Sequence, residues 1–169
     1  MVEIPSLFFD NLKGDFMKKI VIFLLMFFIG NFCLASEQDE VLKFFNSYVN
    51  AANTYSNTIP DYYEPNAKII RVVIKKDGTT ASRTSDMARY KSEMLRNANL
   101  AKMRNYKNYY SDIKITKVGN DYKLSCMRKP SLSDYKIPAH FIIGKNGQGD
   151  WKIKEESMHT KMQVILLTK

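Results

Sequence analysis

A chain of 169 residues, 45% hydrophobic and 25% charged, has room for one domain of ordinary size and too much apolar content for a disordered or collagen-like polymer. Two cysteines and two histidines exclude a disulfide-stapled miniprotein and a Cys-rich zinc cluster, and leave little material for a His-based metal site. The formal charge is +9, from 26 Lys+Arg against 17 Asp+Glu, which directs attention to anionic partners.

The N-terminus reads as a leader. Met17-Lys18-Lys19 precedes ten apolar residues, Ile20 to Ile29, and Cys33-Leu34-Ala35 leads into the polar stretch Ser36 to Glu40. A basic start, a short apolar run and a small residue ahead of a charged stretch are the three parts of a secretory signal. A spanning helix needs about 20 apolar residues, and this run stops at Asn31. Cleavage is expected after Ala35, with Cys33 at the −3 position; bulky Phe32 argues against acylation of Cys33. Residues 1–16 read as an extension upstream of the true start at Met17, the rival being an uncleaved anchor. The mature chain 36–169 keeps the charge of +9, retains only Cys126 and is expected to be periplasmic or secreted. Cys126 reads as a small buried hydrophobe.

The mature part reads as a single α+β domain. Val41, Phe44, Phe45, Tyr48, Val49, Ala52 and Tyr55 recur at helical spacing and predict a helix over 37–57 with Ser36 as its N-cap. Ile59-Pro60 breaks it, and Asp61-Tyr62-Tyr63 forms a short turn ended by Pro65. Lys68 to Lys75 is rich in β-branched residues and predicts a strand; Asp77-Gly78 turns it into a short return strand near 79–82. Ser82 or Thr84 then caps a helix over 85–106, with Met87, Tyr90, Met94, Ala98 and Ala101 on one face. From Tyr109 the period becomes two. Ile113 and Ile115 share a face of one strand, and Tyr122, Leu124 and Cys126 alternate on the next. Tyr135, Ile137, Ala139, Phe141 and Ile143 line a third, and Trp151 and Ile153 begin a last strand running to about Thr160. Helices first and a meander last is an α+β layout: a curved antiparallel sheet whose apolar face is covered by the N-terminal and central helices.

The run Phe44-Phe45-Asn46-Ser47-Tyr48, the step Asp61-Tyr62-Tyr63-Glu64-Pro65-Asn66-Ala67-Lys68-Ile69 and the ending Gly149-Asp150-Trp151-Lys152-Ile153-Lys154-Glu155 resemble the nuclear transport factor 2-like superfamily over about 37–160. The resemblance implies a cone-shaped fold with a cavity between concave sheet and helices, and dimerisation through the outer sheet face. It says almost nothing about activity, because that fold hosts isomerases, dehydratases and many binding modules.

On that layout the expected cavity lining is Tyr48, Tyr55, Tyr63, Tyr90, Phe141, Trp151 and Glu155. Glu155 shares a regular strand face with Trp151 and Ile153, and half-burial would raise its pKa toward that of a general base; the bland alternative pairs it with a neighbouring Lys among ordinary core tyrosines. No residue falls in a recognisable catalytic motif, so no catalytic residue is assigned. His140 and His159 lack a third ligand, so neither metal nor cofactor is expected. Arg89, Arg96, Lys102, Arg104 and Lys107 form a basic patch on the second helix and its end. Its bland reading is a solvated face; its functional reading is contact with an anionic envelope surface, since an exported chain rarely meets nucleic acid. The expected function is therefore an exported binding or accessory module, its partners a small apolar ligand, an anionic envelope surface or a second copy. The alternatives are an isomerase- or dehydratase-type enzyme and an envelope-assembly subunit like the scaffolds of type IV secretion systems.

Overall fold

The computed structural model describes residues 36–162. The leader, the start at Met17, the cleavage point after Ala35 and the apolar stretch 164–167 lie outside those residues.

Helix α1, Glu37–Asn53, opens with a capping box: Ser36 Oγ accepts from the Asp39 N–H at 3.2 Å while Asp39 Oδ2 accepts from the Ser36 N–H at 3.1 Å. Glu37, Asp39 and Glu40 place three carboxylates at its positive end. Val41, Phe45, Tyr48 and Ala51 form its buried stripe. The helix stops at Asn53, short of the expected 57, because Tyr55 takes a left-handed backbone (φ +59). That turn lets the Tyr55 hydroxyl donate to the Tyr106 carbonyl at 3.0 Å. A 3-10 turn, Ile59–Tyr62, delivers the chain into strand β1, Tyr63–Ile74.

Strand β2, Thr80–Ser85, pairs back along β1 as far as Ser85 opposite Ile69. Ser82 and Thr84 are thereby held in the ladder, and Asp86 caps helix α2, Met87–Met103, by accepting from the Arg89 N–H at 2.8 Å. Strands β3 (Asn108–Val118), β4 (Asp121–Pro130), β5 (Ile137–Lys145) and β6 (Trp151–Thr160) follow.

The six strands form one curved sheet in the order β2-β1-β6-β5-β4-β3. The α+β class agrees with the sequence; the all-antiparallel expectation does not. β6 lies between β5, to which it runs antiparallel, and β1, to which it runs parallel. Local turn signals fix hairpin partners, but the neighbour gained by a returning last strand is a non-local choice that alternation does not encode.

The core lies between the inner sheet face and the two helices. Phe45 from α1 meets Phe141 of β5 edge-on at 5.0 Å and Tyr110 of β3 at 5.2 Å, a preferred aromatic geometry. Leu124, Ala139, Ile143, Ile153 and Ile69 complete it.

Two bulges reset which residues face that core. In β3, Ser111 opposes Met127 but Lys114 opposes Ser125, and Asp112 takes φ +56. The extra residue lets both Tyr110 and Ile115 pack inward, while Ile113, expected on the same face as Ile115, is exposed. In β6, Ile153 opposes Ile143 and Glu155 opposes Ile142, so Lys154 is the additional residue. Inward positions therefore run Ile153, Glu156, Met158, Thr160.

Candidate functional site

The shift in β6 decides which acid is interior. Glu155, expected to share the inner face, is only half-buried, and Glu156 is fully buried in its place. The Tyr48 hydroxyl donates to Glu156 Oε2 at 3.0 Å, and the Tyr63 hydroxyl donates to the same oxygen. Those two hydroxyls lie 2.9 Å apart. Glu156 Oε1 faces Arg71 Nη2 at 2.7 Å as an ion pair, without a well-directed hydrogen bond. The Arg71 guanidinium also sits over the Tyr90 ring, 5.3 Å from its centre.

Burial, reinforced by the Glu156 carboxylate, pushes the Tyr48 and Tyr63 phenols well above their ordinary pKa and raises Tyr90 to about 12. Burial raises Tyr110 likewise. These phenols are hydrogen-bond donors, not bases. An acid with no exposed surface, one oxygen accepting from two phenols and the other paired with a guanidinium, ties β6 to α1 and β1 and lies out of reach of a substrate proton.

A separate pocket of about 300 Å³ opens between the end of α1 and α2. Ile59, Pro60, Met94, Leu95, Ala98 and Ala101 supply most of its apolar wall, and Asn53, Tyr55, Tyr106 and Asn108 supply polar groups. Its volume sits at the lower end of ligand pockets, roughly 300–1,000 Å³. Asn53 is spent on β3: its Oδ1 accepts from the Asn108 N–H at 2.9 Å and its Nδ2 donates to the Asn108 carbonyl at 3.0 Å.

The seven residues expected to line one cavity are distributed over four environments. Tyr55 and Tyr90 line the pocket. Tyr48, Tyr63 and Phe141 are core. Trp151 stacks edge-on against Tyr122 at 5.8 Å and donates Nε1–H to Glu40 at 3.1 Å, away from the pocket. Glu155 is turned off the inner face by the bulge. Among the residues that line the pocket or bear on it, Asn53, Tyr106, Asn108 and Arg128 were not singled out by pattern, nor were Glu156 and Arg71 in the buried cluster. For Arg128 a signal existed: continuing the alternation of Tyr122, Leu124 and Cys126 by one step points it inward.

The basic residues spread out. Arg89 pairs with Glu93 at 3.1 Å. Arg96, Lys102 and Arg104 are exposed, but Lys102 lies well round the helix from the side that Arg89 and Arg96 share, two turns apart. Lys107 is half-buried, its backbone bonded to Ser131 in both directions. On the outer sheet face the His140 and His159 rings lie 6.4 Å apart, His140 Nδ1 against Ser125 Oγ and His159 Nδ1 against the Pro138 carbonyl, each at 3.2 Å. No cluster of three metal-ligating side chains occurs among the described residues, nor any helix there long and apolar enough to cross a membrane.

Cys126 is buried, and burial pushes its thiol up to about 12. Because the thiolate is the reactive species, iodoacetamide at pH 8 is expected to leave the native protein unlabelled at Cys126 and to label it fully in 6 M guanidinium. Mapping the adduct by peptide mass spectrometry checks this; rapid native labelling would mean the interior opens.

Solved structures share this architecture. A nuclear transport factor 2-like protein of unknown function from Pseudomonas putida KT2440 superposes with a TM-score of 0.56 at 9% identity, over 72% of this chain and 84% of the other. One with a cystatin-like fold from Novosphingobium aromaticivorans gives 0.56 at 9% identity, over 80% and 89%. A protein provisionally named a ketosteroid isomerase, from Shewanella frigidimarina, gives 0.50 at 17% identity, over 74% and 96%. No family model matches the chain. No curated protein matches it by sequence. At these identities the likeness fixes the fold, which is that of the nuclear transport factor 2-like proteins.

Proposed function

We propose that the chain is an exported, non-catalytic binding module whose pocket between α1 and α2 holds a small, largely apolar ligand. The observation that carries this is the pocket itself: about 300 Å³, its wall more apolar than polar, with Ile59, Pro60, Met94, Leu95, Ala98 and Ala101 facing polar groups that include Tyr106 and Asn108 at the entry to β3. Export rests on the basic, apolar and small-residue order of 17–35. The isomerase-type alternative needs an acid that substrate reaches. Glu156 is closed off by Tyr48, Tyr63 and Arg71, and of this cluster only Tyr90 lines the pocket; the carboxylate that does line it, Glu93, is paired with Arg89 at 3.1 Å. The name of the Shewanella frigidimarina neighbour therefore does not carry a mechanism to this chain.

Ala98→Trp tests the reading. Ala98 lines the pocket and is only partly buried, so an indole there fills the space without entering the core. The expected result is at least a tenfold loss of affinity for 1-octanol in isothermal titration calorimetry, with far-UV circular dichroism and Tm unchanged. Equal affinity in both proteins would place any binding elsewhere.

A further inference from the structure

Among the described residues Glu156 is the one buried carboxylate, and the guanidinium groups of Arg71 and Arg128 both reach buried partners. Arg71 is matched by Glu156. Arg128, 7% exposed, is in no salt bridge among the described residues. Its Nη2 donates to the His159 carbonyl at 2.9 Å, its Nη1 to Asn108 Oδ1 at 2.9 Å and to the Tyr106 hydroxyl at 3.3 Å, and its Nε–H is buried with no acceptor. Neutral acceptors solvate a cation but do not cancel its charge, and an uncompensated buried charge is costly.

The partners of Arg128 place this charge directly behind the pocket. Tyr106 and Asn108 both line it. A guanidinium has only donors, so its bond to Asn108 settles the amide orientation: the oxygen faces Arg128, where the Tyr106 hydroxyl also donates to it at 3.2 Å. Asn108 Nδ2 donates to no protein group among the described residues. A pocket-lining amide thus keeps two free N–H donors, polarised from behind by a buried positive charge. The one carboxylate on the pocket wall, Glu93, is held by Arg89.

We infer that the ligand is an amphipathic monocarboxylate, its aliphatic body against Ile59, Met94, Ala98 and Ala101 and its carboxylate received by Asn108 Nδ2 in the field of Arg128. This rests on the pocket being a ligand site, as proposed above, and adds which chemical class it selects. A neutral molecule of the same length would keep the apolar contacts and leave the charge behind Asn108 unmatched, so the structure supplies discrimination as well as affinity.

The test compares octanoate with 1-octanol on the full chain by isothermal titration calorimetry at pH 7.5. Octanoate is expected to bind at least tenfold more tightly than octanol. Asn108→Asp keeps the backbone bonds to Asn53 and gives Arg128 a built-in carboxylate, so Tm is expected to rise and the preference for octanoate over octanol to vanish. Arg128→Met is expected to abolish the preference in the same way; where that variant does not fold, Asn108→Asp alone decides. Equal binding of octanol and octanoate by the parent chain, or a preference that survives Asn108→Asp, overturns the inference while leaving the pocket a ligand site. Binding of neither compound overturns the pocket reading and this inference with it.

Discussion

Glu156→Ala is expected to lower unfolding free energy by about 3–5 kcal/mol, because it strands the partly buried Arg71 guanidinium and removes the acceptor of two buried phenols. Small domains are stable by only about 5–15 kcal/mol, so the variant should sit near the edge of folding at 25 °C. Urea denaturation measures it. Two comparisons separate this from a generic loss of side chain. Glu155→Ala, one residue away on the half-buried side of the bulge, should stay within about 0.5 kcal/mol of the parent. Removing both charges together, as Glu156→Leu with Arg71→Met, should recover much of the loss, since replacing a whole buried ion pair by apolar groups is often near neutral. A mild Glu156→Ala phenotype would mean that water enters this cluster and that the acid is less committed to architecture than its contacts imply.

Phe45→Ala should cost a similar amount, about 3–5 kcal/mol, by a different route. Phe45 is fully buried and is the one α1 ring that touches both Phe141 and Tyr110. Its loss opens a void where α1 meets the middle of the sheet, and a rigid curved sheet collapses poorly onto it. Phe44, about 100° round the helix and only partly buried against Tyr62, should cost less than half as much on truncation. Equal losses at the two positions would contradict the assignment of Phe45 as the central contact.

These two sites also show where reading from sequence succeeds and where it stops. Phe45 was legible because helical periodicity is set by backbone geometry alone: Val41, Phe45 and Tyr48 fall on one stripe whatever they pack against. The strands of the C-terminal half were legible for the same reason, and β5 alternates without fault from Ile137 to Ile143. Glu156 was not legible, because period-two reasoning assumes an unbroken strand. One added residue at Lys154 exchanges the roles of adjacent glutamates, and nothing about a lysine announces a bulge. Asp112 did the same to Ile113 and Ile115 in β3. The cap of α2 was misplaced for a related reason: Ser82 and Thr84 are good capping residues, but β2 extends through them and Asp86 is the first position free of the ladder. The pocket was legible only in part. Tyr55 and Tyr90 fall on the apolar stripes that helical spacing marks, whereas Asn53, Tyr106 and Asn108 are brought together from the end of α1 and the entry to β3, and that convergence is a property of topology rather than of any local pattern.

The place of β6 in the strand order has a consequence for how the molecule comes into being. The first two strands make one hairpin and the third, fourth and fifth make a meander, yet neither group touches the other in the sheet until the final strand slides between them. The join between the two groups waits on the synthesis of β6, and the acid that anchors the join travels on that same strand. Until β6 is made, the two halves of the sheet share no strand pairing and are held side by side through α1, whose Tyr48 reaches Tyr63 on one side and whose Phe45 reaches Phe141 and Tyr110 on the other.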